Sequence, residues 1–126
     1  MREVDLFLTI TGALFLVVYA VPLLFVPLRF ARMFRWALPA EPHLAIYFGR
    51  SLGAVAVGVT VMCLRTPLEP GAQRLVLELI MVAGALLTLV HLWGAFRRVQ
   101  PWPETLETVL YAGFTVAAVL LRARLG

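Results

Sequence analysis

The chain has no lysine and no asparagine, one serine (Ser51) and one cysteine (Cys63). A lone cysteine excludes an internal disulfide and any multi-cysteine metal site. Cys63 reads as a small apolar filler. Charge is scarce: 14% of the 126 residues are charged and 62% are hydrophobic, where a soluble domain has roughly 45–50% apolar residues. A small soluble domain has too much surface to hide that apolar content. An ordinary soluble enzyme, a disordered segment and a disulfide scaffold are therefore all poor fits. Catalytic signatures are missing too: there is no G-x-S-x-G, no H-E-x-x-H, no P-loop and no Rossmann fingerprint. Ser51 sits beside Arg50 with no evident triad. No enzyme is expected.

What is present is apolar sequence in long runs. Leu6 to Leu28 contains no charge, and about 20 helical residues cross the hydrocarbon layer. Three more runs follow, at about 43–64, 75–96 and 104–121. A cleaved leader ending near Val18-Tyr19-Ala20 is the rival for the first, but the apolar run continues past that point. None of the runs alternates as a barrel strand does. Helices satisfy their own backbone groups, so the expected fold is an all-α, antiparallel bundle of four transmembrane helices in a single domain, 1–126. Pro22 and Pro27 should kink or end the first helix.

Between the first two runs, Phe30, Met33, Phe34, Ala37 and Leu38 follow i, i+3, i+4, i+7, i+8. Arg29, Arg32 and Arg35 fall on the other side. This predicts a short amphipathic helix in the head-group region, anchored by Trp36. The formal charge of +4 then points to lipid head groups and not to nucleic acid. Arg2, Arg65, Arg74, Arg122 and Arg124 fall on one side of the membrane. Arg29, Arg32, Arg35, Arg97 and Arg98 fall on the other. This even count leaves orientation open and permits an antiparallel dimer.

Ionisable groups inside spans are candidates for function. Arg50 lies about 10 Å deep in the second span at ~1.5 Å per residue, on one face with His43 and Tyr47. His91 is six residues before Arg97, so its depth from the same surface is similar. Glu104, Glu107, Tyr111, Thr115 and Ala118 lie along one stripe of the fourth span. The expected site is a polar pocket of Tyr19, Tyr47, Arg50, His91, Glu107 and Tyr111, with Arg50 and Glu107 as an ion pair. A plainer reading has Arg50 reaching back to the interface and Glu104 and Glu107 complementing a helix N-terminus. Glu78 reads as a local pair with Arg74, four residues before it. His43 and His91 could ligate a haem from facing helices, although their depths differ by about 9 Å. Zinc lacks further histidine or thiol ligands, so no metal is expected. Small residues (Gly49, Gly53, Gly58, Gly84 and Gly113) recur at four-residue spacing with other small residues and let helices approach closely. They also permit a homo-oligomer.

Pro27-Leu-Arg-Phe-Ala-Arg-Met-Phe, then Tyr47-Phe-Gly-Arg-Ser-Leu-Gly-Ala-Val-Ala-Val-Gly58 and Val90-His91-Leu-Trp-Gly94, resemble small bacterial DoxX-like four-helix membrane proteins. The first span lacks that family's glycine-rich pattern. The resemblance implies four spans in a bacterial inner membrane. Some such proteins are associated with quinone-linked oxidoreductases, so it implies a redox accessory role as well. The expectation from all of this is a structural, accessory or self-associating membrane subunit. The alternatives are a protein binding quinone, a lipid head group or haem, and a small transporter or channel built as a dimer.

Overall fold

A computed structural model describes residues 3–126; Met1 and Arg2, and with them the Arg2 charge in the orientation count, lie outside the described residues. The described residues are all-helical, with no strand. Helix α1 (Glu3–Phe15) continues through one wide π turn (Leu16–Ala20) into α2 (Val21–Phe25). Then come α3 (Pro27–Met33), α4 (His43–Arg65), α5 (Gln73–Arg97) and α6 (Trp102–Arg124). Four stretches are long and apolar enough to cross a membrane: Glu3–Phe25, His43–Leu68, Pro70–Arg97 and Trp102–Arg124. In their apolar windows only 11% to 28% of residues are buried. Apolar side chains such as Val55, Leu75, Phe96 and Val109 point outward instead. Helices apolar all round match a hydrocarbon surrounding better than water.

The chain divides into two compact units, Met1–Pro70 and Gly71–Gly126. In the first, the α1–α2 rod packs along α4. Val4, Leu8 and Thr11 line the inner face of α1, and Thr60 and Cys63 are buried on α4. The helices come unusually close. A Cβ added to Gly12 would stand 2.9 Å from the Cys63 Cβ and 3.0 Å from the Thr60 carbonyl. One added to Gly53 would run into the backbone of Leu23 and Leu24, and one at Gly49 would meet Pro27. The π turn has a local cause. In a regular helix the Pro22 ring would clash with the carbonyl four residues back. The widened turn just before it, closed by the Val21 N–H to the Leu16 carbonyl, changes that register.

The first long apolar helix ends three residues sooner than its apolar run. Val26 leaves the helical region at φ −133°, and Pro27 opens α3. The amphipathic segment also differs from the expectation. Helix α3 stops at Met33, so Ala37 and Leu38 do not extend its apolar face. Arg35 adopts a left-handed conformation at φ 64°. The Trp36 N–H reaches back to the Ala31 carbonyl at 3.0 Å and the Arg35 N–H to Arg32 at 2.9 Å, the pattern that closes helices. Pro39 and Pro42 then discourage helix until α4. Phe30 and Phe34 do turn towards Tyr19, Phe30 edge-on at 5.8 Å and Phe34 tilted at 6.0 Å. Met33, Arg29, Arg32, Arg35 and Trp36 are exposed.

The second unit is a helical hairpin. Contacts run in opposite order along its two helices: Arg74 with Leu125, Glu78 with Arg122, Gly84 with Thr115, His91 with Glu104. Helices α5 and α6 are therefore antiparallel. Their link is short because Arg98 takes a left-handed conformation at φ 53°, closing α5 as Arg35 closes α3. The Thr115 hydroxyl sits directly over Gly84, where a Cβ would displace it. Helix α6 runs three residues beyond the expected end at 121. That extension corrects the expected Arg74–Glu78 pair. Arg122 reaches Glu78 at 2.8 Å, while Arg74 donates to the Leu125 carbonyl at 2.6 Å.

Candidate functional site

The closed end of the hairpin carries four polar side chains in mutual contact. His91 lies near the end of α5 and is 9% exposed. Its Nδ1 is 2.8 Å from the Leu87 carbonyl one turn back. A carbonyl only accepts, so Nδ1 carries the hydrogen. The other ring nitrogen, Nε2, faces two carboxylates: Glu104 Oε2 at 3.0 Å and Glu107 Oε2 at 3.6 Å. The side chains of His91, Glu104 and Glu107 are 11%, 15% and 9% exposed. Tyr111 donates its hydroxyl to Glu107 Oε2 at 2.9 Å, and its ring lies 4.9 Å from the imidazole.

Local sequence explains the placement. Glu104, Glu107 and Tyr111 are spaced i, i+3, i+7, so they share the α6 face turned to α5. Pro101, extended at ψ 154°, and Pro103 in the first turn start α6 abruptly. Glu104 falls in that first turn, where the helix N-terminus favours an anion. Gln100, in the link, donates to the His91 carbonyl at 3.0 Å and to the Thr105 hydroxyl at 3.1 Å. Its side chain covers Gly94, where a Cβ would displace it. The link is thereby tied to both helices beside the cluster.

Chemically, a neutral Nε2 presents a lone pair to two carboxylate oxygens. Lone pairs at 3.0 Å repel unless a positive species lies between them. A shared hydrogen between Nε2 and a carboxylate, or a metal ion bridging the three groups, would remove that repulsion. Their ligand atoms all lie within 4.8 Å of one another.

The remaining expected site residues lie in the first unit. His43, Tyr47 and Arg50 share one face of α4, as their spacing required. They line an open groove of about 450 Å³ with Leu24, Ile46 and Ser51. Arg50 also borders a second groove with Pro27, Leu28 and Arg29. Tyr19 lines neither; it packs against Phe15 at 4.9 Å, within the aromatic cluster of α3. Of the expected packing glycines, Gly58 and Gly113 have nothing within 4 Å of an added Cβ. They face outward, unlike Gly49, Gly53 and Gly84.

Sequence reasoning missed Glu104 as a partner of His91, reading it as a helix-end charge, and missed Gln100 entirely. The Glu-x-x-Glu spacing just after Trp-Pro, opposite a histidine, was the available signal. No protein-family model, no curated protein and no solved structure matches this chain. The likeness to DoxX-like proteins rests on the residues quoted for it.

Proposed function

We propose that this is a small, multi-pass integral membrane protein of binding type, without catalysis, whose working element is the closed end of the α5–α6 hairpin. It holds a small cationic or hydrogen-bonding ligand among His91, Glu104, Glu107 and Tyr111. One observation carries this reading: an imidazole nitrogen aimed at two carboxylates, all three side chains largely buried. Charged side chains near the ends of membrane helices usually reach out to the interface. Snorkelling would be the inexpensive arrangement for such groups. These three turn inward instead, towards one another. A haem at His91 would first have to displace both carboxylates from Nε2, so the geometry favours a smaller occupant. The test is native mass spectrometry from mild detergent. A bound species should accompany the wild type and be lost in Glu107→Gln. A wild type that releases nothing but loosely held detergent and bulk lipid would refute the reading.

A second reading, self-association as a membrane subunit, is favoured by a different feature. An apolar groove of about 640 Å³ opens along the hairpin, lined by Thr88, Leu92, Thr108, Ala112, Gly113 and Val116. Gly113 leaves it open, and the buried Thr108 hydroxyl has no hydrogen-bond partner there. Small residues of this kind let a second helix approach. Gly113→Leu fills the groove and should dissociate a homo-oligomer. An unchanged oligomeric mass would remove this reading.

A further inference from the structure

We propose that His91, Glu104 and Glu107 bind one divalent transition-metal ion, of the zinc, iron, manganese or cobalt class. This rests on the binding role given to the same cluster above and names its ligand.

The spacing fits such an ion. Ligands about 2.1 Å from a tetrahedral metal stand about 3.4 Å from each other. The Nε2–Oε2 separations of 3.0 and 3.6 Å bracket that value. Calcium binds 6–8 oxygens at roughly 2.3–2.6 Å and has no use for an imidazole; magnesium sheds water reluctantly. One imidazole with two carboxylates suits borderline ions instead.

The surroundings fit as well. The Leu87 carbonyl holds the Nδ1 hydrogen, so the Nε2 lone pair is the one presented inward. A metal-binding histidine is usually fixed in this way through its other nitrogen. The Tyr111 hydroxyl donates to the same Glu107 oxygen that faces Nε2 and so helps to fix its position. Charge points in the same direction. A divalent ion balances both carboxylates in a site largely closed to water. Three protein ligands leave a coordination position for water or an incoming ligand. Glu104 and Glu107 occupy successive turns of α6, and His91 comes from the facing helix, so forming the hairpin assembles the site.

The experiment uses the full chain in mild detergent, carrying no polyhistidine tag, stripped with chelator and then titrated with Co²⁺. The wild type should retain one cobalt per chain after desalting and show visible d–d absorption that Zn²⁺ abolishes. Glu104→Gln and Glu107→Gln, close in shape to the native side chains, should lose that absorption. Tyr111→Phe should weaken binding about 10–100-fold, and His43→Gln should leave it unchanged. Far-ultraviolet circular dichroism confirms that each variant is helical. Retention of well under one cobalt per chain by the wild type overturns the proposal, as does wild-type binding in both glutamine variants. If cobalt fails but native mass spectrometry still finds an organic species that Glu107→Gln releases, the metal is refuted and the binding role stands. If neither is found, both fall.

Discussion

The contact between α2 and α4 gives two glycine substitutions of opposite sign on one helix. In Gly53→Ala the new methyl would stand 2.7 Å from the Leu24 Cα and 2.8 Å from the Leu23 carbonyl carbon. Unstrained contacts of this kind need about 3.5–4.0 Å, so the helices must separate by roughly 1 Å. The obstacle is backbone, so no rotamer change relieves it. Overpacking of this type costs about 1–3 kcal/mol. Against it stands the alanine's advantage within a helix, about 1 kcal/mol. The net expectation is a loss of up to about 2 kcal/mol. In Gly58→Ala the methyl meets nothing within 4 Å. Only the helix advantage remains, so the same change five residues on should stabilise by up to about 1 kcal/mol. Reversible unfolding in mixed micelles, followed by tryptophan fluorescence or circular dichroism, measures both. Equal effects at the two positions, or a stabilising Gly53→Ala, would refute the close approach of α2 and α4.

Three further expectations follow from other contacts. Arg98→Gly removes a left-handed arginine at φ 53° and should stabilise the hairpin by about 1 kcal/mol, read from the same unfolding curves; destabilisation would contradict the closing role of that residue. Glu78→Gln breaks a pair whose two side chains are 48% and 27% exposed, so its cost should stay below about 1 kcal/mol, and a larger loss would mean that the pair is shielded from solvent. Glu107→Ala strips the Tyr111 hydroxyl of its acceptor, so it should destabilise by about 1–3 kcal/mol. Glu107→Gln keeps an acceptor for Tyr111 and should cost far less, and equal losses in the two variants would show that the Tyr111 hydrogen bond does not matter.

The four long apolar helices were legible because long apolar runs bounded by proline and arginine leave few alternatives. Their ends were less so. Hydropathy places the end of α6 at Leu121, but arginine is a good helix former, and the helix continues to Arg124. The connecting helix was read too long because nothing in the sequence marks Arg35 as left-handed; a glycine would have done so. Gly12 escaped notice as a close-packing position, since Leu8 and Leu16 occupy the places one turn away and no small-residue spacing flags it. Gly58 and Gly113 carry that spacing yet face outward. Spacing records that a helix can be approached, not that it is. Within the candidate site, helical periodicity was enough to align Glu104, Glu107 and Tyr111. It was not enough to turn the His91 ring, because that orientation depends on the Leu87 carbonyl and on where the link places the two helices. Gln100 lies in the link, outside any periodic pattern.

The apolar outer faces of the four long helices call for lipid, not water, around most of these side chains. Stepwise removal of detergent with size-exclusion chromatography tests this most directly. The outward-facing apolar surface of the four long helices predicts aggregation as the amphiphile is withdrawn, with recovery when lipid is supplied. A monodisperse, helical protein in plain buffer would contradict it.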